Sequence, residues 1–189
     1  MKKIFPGILL TLGLLLIAPG HADGQDPLSP EELLQLESVS AVQISPDNKE
    51  VIFTISTPRG PNDKPGAATR QYFRASPTHR IPGPLFENLD GAGSPRYSPD
   101  GQHMGFIYAA KDESRQVWLM NASGGNMKKL TNEPAGVSQF KWQPGNRGIA
   151  YLSREHTTNR EKELKKRGYD FIYYEENLKN SYLHLARYD

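Results

Sequence analysis

Through most of this chain, apolar residues recur at every second position, in paired runs separated by the same polar phrase. Val42 and Ile44 alternate up to Ser45-Pro46-Asp47-Asn48, and Val51, Phe53 and Ile55 alternate after it. This pattern predicts a β-hairpin with a tight polar turn. The phrase returns as Tyr97, then Ser98-Pro99-Asp100-Gly101, then Met104, Phe106 and Tyr108. A third, looser copy, FKWQPGNRGIAYL, runs from Phe140 to Leu152 with turn and apolar residues at the same offsets. Asp-Gly is a favoured turn pair because glycine tolerates positive φ. Asp47 and Asp100 are expected to brace their own turns through side-chain to backbone hydrogen bonds.

Each hairpin is followed by a second pair of strand-like runs. Gln116 to Asn121 (QVWLMN) leads through Ala122-Ser123-Gly124-Gly125 to Met127–Thr131. Its weaker counterpart in the first copy is Gln71 to Ala75, a Pro-rich turn, and Leu85-Phe86. The unit is thus four strands, 53 residues from Ser45 to Ser98 and 45 from Ser98 to Gln143. Four antiparallel strands repeating every ~40–50 residues predict the blades of a β-propeller. A generic β-sandwich also has short strands and polar turns, but has no reason to restate one turn at blade spacing. The expected fold class is therefore all-β, an incomplete β-propeller of four-stranded blades preceded by a signal peptide and one short helix.

That helix is expected at Ser29-Pro30-Glu31-Glu32-Leu33, where Ser29 can cap, Pro30 suits the first turn and Glu32 completes a capping box. Leu33 and Leu36 would supply its apolar face. The expected division is a signal peptide over 1–22, a helix and lead-in over 23–38, and a partial propeller of about three blades over 39–189. Propellers close with ~4–8 blades. Two units and most of a third would leave open sheet edges, so the expectation is the front of a longer chain. Tyr182 to Asp189 reads as a strand cut just before its hairpin turn.

The signal peptide is read from Met1-Lys2-Lys3, the apolar run Ile8 to Ile17, and the small residues Gly20 and Ala22. The run is short of the ~20 residues of a membrane span, so no stable membrane anchor is expected after cleavage; an uncleaved anchor is the alternative. Cleavage would remove Lys2 and Lys3 from the 23 basic residues, leaving 21 against 21 acidic ones. A balanced charge gives no reason to expect a nucleic acid or an anionic membrane as partner. With no cysteine among the 189 residues, disulfides, thiolate metal sites and a cysteine nucleophile are excluded. Export without cysteine leans towards a bacterial envelope, periplasmic or secreted.

These phrases resemble the amino-terminal propeller of the prolyl oligopeptidase family, particularly its dipeptidyl-peptidase and acylaminoacyl-peptidase branches. The resemblance is carried by the opening stretch LSPEELLQLESVSAVQISPDNKEVIF, the second Ser-Pro-Asp-Gly blade, VWLMNASGGNMKKLT, and the excursion REHTTNREKELKKRGYDFIYYEENLKNSYLHL. It implies a two-domain serine peptidase whose propeller caps an α/β-hydrolase domain bearing serine, aspartate and histidine. The sequence departs from this in one respect. A nucleophile elbow needs Gly-x-Ser-x-Gly, because its serine sits on a strained turn that only small neighbours permit. Neither the Ser123 nor the Ser94 stretch matches, so the chain alone is expected to lack hydrolase activity.

The resemblance also implies that Glu175 and Glu176, in Tyr173-Tyr174-Glu175-Glu176-Asn177, bind the free amino terminus of a peptide substrate. Two carboxylates in a partly dry cavity can hold an ammonium by charge-assisted hydrogen bonds and set its distance from the scissile bond. A solvated acidic pair balancing the neighbouring basic run is the competing reading. Arg154 to Arg167 is rich in charge but lacks interleaved aromatics, so it reads as a solvated loop or short helix on the propeller rim. His79, His103, His156 and His184 are scattered and form no His-Glu-x-x-His, so neither a metal nor another cofactor is expected. Trp118 and Trp142 fall at strand positions and are expected to pack between blades. Asn121-Ala122-Ser123 matches a glycosylation acceptor but carries no weight in a bacterial exported protein.

The functional expectation is a substrate-gating and binding propeller of an exported serine exopeptidase acting on short peptides, present without its hydrolase domain. The alternative is a non-enzymatic periplasmic propeller that binds proteins, as in the Tol system. A complete natural protein of this length is a third.

Overall fold

The computed structural model describes residues 28–60, 62–169 and 178–188. The expected signal peptide and the Glu175–Glu176 pair lie outside the described residues. Three antiparallel sheets follow one another along the chain. The first blade contains β1 (Ser38–Ile44), β2 (Val51–Thr57), β3 (Thr69–Ser76) and β4 (His79–Pro84), paired in that order. The second contains β5 (Gly93–Tyr97), β6 (His103–Tyr108), β7 (Gln116–Asn121) and β8 (Lys128–Lys129). The third has β9 (Val137–Trp142), β10 (Ile149–Arg154) and β11 (Ser181–Ala186), with β10 in the middle. The fold is all-β, three blades of a propeller.

The repeated phrase forms the turn between the first two strands of each blade. Ser45 Oγ donates to Asp47 Oδ1 at 2.6 Å and accepts from the backbone N–H of Glu50. Ser98 repeats this, donating to Asp100 Oδ1 at 2.5 Å and accepting from His103 N–H at 2.9 Å. Each aspartate also accepts a backbone N–H two residues on, from Lys49 and Gln102. The fourth turn residue is left-handed in all three copies, φ 58° at Asn48, 72° at Gly101 and 57° at Asn146. Asparagine and glycine are the residues that tolerate that region.

The turn bonds hold both carboxyls below the ordinary aspartate range. At Asp47 the hydrogen bond from Ser45 is the main cause. At Asp100 burial pushes the other way and is outweighed by the bonds from Ser98 and Gln102.

A bulge recurs in the opening strand of each blade and was not legible in the sequence. The β1–β2 register shifts between Ser40 and Gln43, and the β5–β6 register between Gly93 and Arg96. Ala41 and Ser94 occupy equivalent places there, with φ of 50° and 55°. A further shift interrupts the β9–β10 ladder between Leu152 and Ser153. An extra residue at this point bends the strand and re-aims the side chains beyond it.

The core lies between blades. Between the first and second it consists of Ile52, Met104, Phe106 and Met120, flanked by Phe86, Leu89 and Tyr97. Between the second and third it is Ile107, Val117, Val137, Phe140, Ile149 and Tyr151. β6 supplies both, since consecutive strand residues point to opposite faces: Met104 and Phe106 to the first blade, Ile107 to the third. Trp118 packs edge-on against Tyr108 at 5.8 Å, and Trp142 donates Nε1–H to the Arg96 carbonyl at 3.0 Å. Both tryptophans are blade-packing residues, as their strand positions predict.

Two local expectations need correction. The Pro-rich stretch after Ala75 turns tightly at Pro77 and Thr78 and then forms β4, so the fourth strand begins before Leu85. Leu85 N–H still bonds the Tyr72 carbonyl at 2.7 Å, continuing the ladder. The opening helix α1 is only Pro30–Leu33; its capping box is present, but Leu33 and Leu36 are exposed and no apolar face is buried. Most helix stability comes from packing such a face, so the chain leaves the helix after one turn. The charged run contains an α-helix, α2, described below.

Gly105 is a point of close approach between the middle and third blades. A Cβ built there would lie 2.8 Å from the Phe140 ring and 3.2 Å from Trp142. Gly105→Ala is therefore expected to lower folding stability by about 1–3 kcal/mol through overpacking. An unchanged denaturation midpoint in urea would contradict this packing.

Candidate functional site

Residues 155–180 leave the third blade after β10 and return to it at β11. Their neck is closed by backbone and side chain together. Glu155 N–H donates to the Asn180 carbonyl at 2.8 Å, and Asn180 N–H returns a longer bond to Glu155 Oε2 at 3.4 Å. Inside the neck, Asn159–Lys166 form α2. Thr158 caps it, accepting from Glu161 N–H, while Glu161 accepts from Thr158 N–H, a complete capping box. Lys165 and Lys166 fall in the last turn, where cations complement the helix dipole. α2 buries no residue, so the helical alternative for the charged run is the observed one, and the helix is solvated.

Glu161 does more than cap. Lys179 Nζ bonds its Oε1, tying the helix to the strand that re-enters the blade. Hydrogen bonding to Lys179 and then to Thr158 pulls the Glu161 carboxyl down to about 2. Glu175 and Glu176 belong to this excursion, between Tyr169 and Leu178, and lie outside the described residues.

A second feature was missed by sequence reasoning. A cleft of about 670 Å³ lies between the first and second blades, walled by Leu85, Leu89, Met120 and Met127, with Glu50 and Arg74 among its polar lining. Arg74 donates Nη2–H to the Ala122 carbonyl at 2.6 Å, and its Nε lies 3.6 Å from Glu50 Oε2. Tyr97 donates its hydroxyl to the same Glu50 oxygen at 3.2 Å. Burial first, and the Glu50 charge second, push the Tyr97 phenol up to about 12. The group bridges the two blades and neutralises itself. Glu50 just before β2 and Arg74 within β3 were its trace in the sequence.

The histidines occupy separate environments. His103 stands edge-on to Tyr188 at 5.7 Å, and His156 is exposed. His184 lies flat on Tyr151 at 5.0 Å and shares a 2.9 Å hydrogen bond with Ser153. Ser153 is buried and His184 half-buried, and the pair lies within the third blade's own sheet, across β10 and β11. Among the described residues, no three histidine or carboxylate side chains converge on a metal-sized space.

Comparison with known proteins agrees with this architecture. No family model matches the chain. The peptidase YuxL of Bacillus subtilis is 40% identical over 55 residues, 29% of this chain and 8% of that protein. Dipeptidyl-peptidase 5 of Porphyromonas endodontalis is 22% identical over 163 residues, 81% of this chain and 23% of that one. The resemblance is to the peptidases. Among solved structures, the acylaminoacyl peptidase of Pyrococcus horikoshii superposes with a TM-score of 0.57 at 12% identity, covering 82% of this chain and 24% of that chain. That superposition bears on fold, and it agrees with the propeller. The chain spans less than a quarter of the length of the curated relatives it matches.

The Glu161 tether sets a pH response for the excursion. A depressed carboxyl stabilises above its unfolded value, near 4.5, and that contribution is lost as pH falls towards about 2. Amide exchange in α2 is expected to accelerate, beyond its intrinsic pH dependence, as pH drops through this window. Glu161→Gln should show weak protection throughout, and an unaltered profile in that variant would refute the tether.

Proposed function

We propose that this chain is the substrate-gating and binding propeller of an exported serine exopeptidase that acts on short peptides. In the whole enzyme it caps an α/β-hydrolase domain carrying the serine, aspartate and histidine. The observation that carries the reading is the alignment of 81% of the chain with a protein named dipeptidyl-peptidase 5, of which it spans 23%. The blade order supports it, because a ring of blades restricts entry to narrow substrates while leaving chemistry to another domain. Met1 to Ala22 directs export to the periplasm or beyond, by the sequence argument above.

Within this reading the excursion over 155–180 presents Glu175 and Glu176 to the peptide. A rigid neck suits that task, because a carboxylate pair selects an amino terminus only when its distance from the scissile bond is fixed. The neck bond between Glu155 and Asn180 and the Glu161–Lys179 tether supply such fixing at both ends of the segment.

Two measurements test this. The coding sequence beyond codon 189 is expected to run into further blades and then Gly-x-Ser-x-Gly; blades followed directly by a stop would favour a protein-binding propeller. In the enzyme carrying that hydrolase domain, replacing Glu175 and Glu176 together by alanine should raise KM for free-amino peptides by at least about tenfold, the worth of one charge-assisted contact. Peptides with a blocked amino terminus should be unaffected. Equal losses on both substrates would overturn the assigned role.

A further inference from the structure

Among the described residues an aspartate is followed by glycine twice, each time in a tight turn. Asp90-Gly91 lies in the connection from β4 to β5, and Asp100-Gly101 in the turn between β5 and β6. The dipeptide is chemically labile, because glycine has no Cβ to shield its backbone nitrogen from the preceding carboxyl. Whether it reacts depends on how firmly the fold holds those two groups.

At Asp100 both groups are engaged. Its Oδ1 accepts from Ser98 Oγ–H at 2.5 Å and from Gln102 N–H at 3.0 Å, and Gly101 N–H donates to the Ser98 carbonyl at 2.9 Å. Against the pull of burial, the bonds from Ser98 and Gln102 keep this carboxyl ionised, and a carboxylate is the poorer electrophile. At Asp90 neither group is engaged. Its carboxyl and the Gly91 N–H make no hydrogen bond among the described residues. Both residues are exposed, and no atom lies within 4 Å of where a Gly91 Cβ would stand. One bond closes this turn, from Ala92 N–H to the Leu89 carbonyl at 3.0 Å, with Gly91 left-handed at φ 80°. The central peptide, which carries the Gly91 nitrogen, takes no part in it.

We propose that Asp90 is a site of spontaneous isoaspartate formation, and that the Ser98 clasp protects Asp100 from the same reaction. The Gly91 nitrogen attacks the carbon of the protonated Asp90 carboxyl. The new C–N bond forms, and the carboxyl hydroxyl leaves with the amide proton as water, giving a cyclic succinimide. Water then opens the ring: addition at the side-chain carbonyl restores aspartate, and addition at the main-chain carbonyl leaves Gly91 joined through the Asp90 side chain. The water lost in the first step is regained in the second, so the product keeps the mass of the original chain and gains a methylene in its backbone. That methylene falls between Leu89 and Ala92, which both pack against the core between the first and second blades, so isomerisation loosens that contact. The inference rests on these two turns and is independent of the peptidase reading.

Ageing the purified chain at neutral pH, followed by tryptic digestion and enzymatic methylation of isoaspartyl peptides, reads each site by itself. Cleavage after Arg96 separates Asp90 from Asp100, and Asp23-Gly24, outside the described residues, falls in a peptide of its own. In the folded chain Asp90 is expected to convert at least about tenfold faster than Asp100, since freeing the Asp100 carboxyl breaks two hydrogen bonds. In urea the two rates should converge. The aged chain should unfold at a lower denaturant midpoint than the fresh one. Asp90→Glu, whose longer side chain closes a larger and slower-forming ring, should lose both the label in this peptide and the fall in midpoint. No isoaspartate at residue 90, or a folded-state rate ratio no greater than that in urea, would overturn the inference. A chain converted at residue 90 that still unfolds at the fresh midpoint would overturn the loosening assigned to it.

Discussion

β6 is buried on both of its faces, and the order of the three sheets follows from that. Phe106 and Met104 enter the gap to the first blade while Ile107 enters the gap to the third, all fully excluded from water. Burying a side chain of this size is worth roughly 1.5–3 kcal/mol, so these three residues contribute to both inter-blade cores at once. A sheet covered on both sides reads as a nearly continuous apolar run, and the burial along β6 has that form. The outer blades each contribute one face to the middle one.

Polar contacts fix how the faces register. Gln43 Nε2–H reaches the Pro95 carbonyl at 2.9 Å, and Trp142 Nε1–H reaches the adjacent Arg96 carbonyl from the opposite side. Both acceptors lie in β5, just past the bulge at Ser94. Consecutive carbonyls of this opening strand are thus bonded by both neighbouring blades. Tyr151 completes the set by donating its hydroxyl to Glu133 Oε1 at 2.7 Å, which joins the third blade to the loop closing the second. Hydrogen bonds of this kind add about 0.5–1.5 kcal/mol each.

The excursion over 155–180 obeys different physics. Its helix buries nothing and is held by capping and by one carboxylate shared between Thr158 and Lys179. Such a segment can vary in sequence without disturbing the blades, because it adds nothing to their apolar contacts. The blades stabilise themselves through apolar contact, whereas the excursion depends on capping and charge.

Alternating apolar positions and the thrice-repeated turn determined the blades before any coordinates, because period-two patterning and left-handed turn residues are local properties. The roles of Asp47, Asp100, Trp118 and Trp142 were legible for the same reason. The bulges at Ala41 and Ser94 were not, since neither residue type favours a left-handed backbone and only pairing with the next strand imposes it. The start of β4 was hidden because Pro82 falls inside it; β4 is the outer strand of its sheet and its register with β3 is irregular there, so the lost donor is tolerated. The Glu50–Arg74–Tyr97 group was hidden too: its members are separated in sequence by up to 47 residues and meet only when two blades pack. Which face of a strand is covered, and by what, is a property of neighbouring sheets, so the tertiary structure alone decided it.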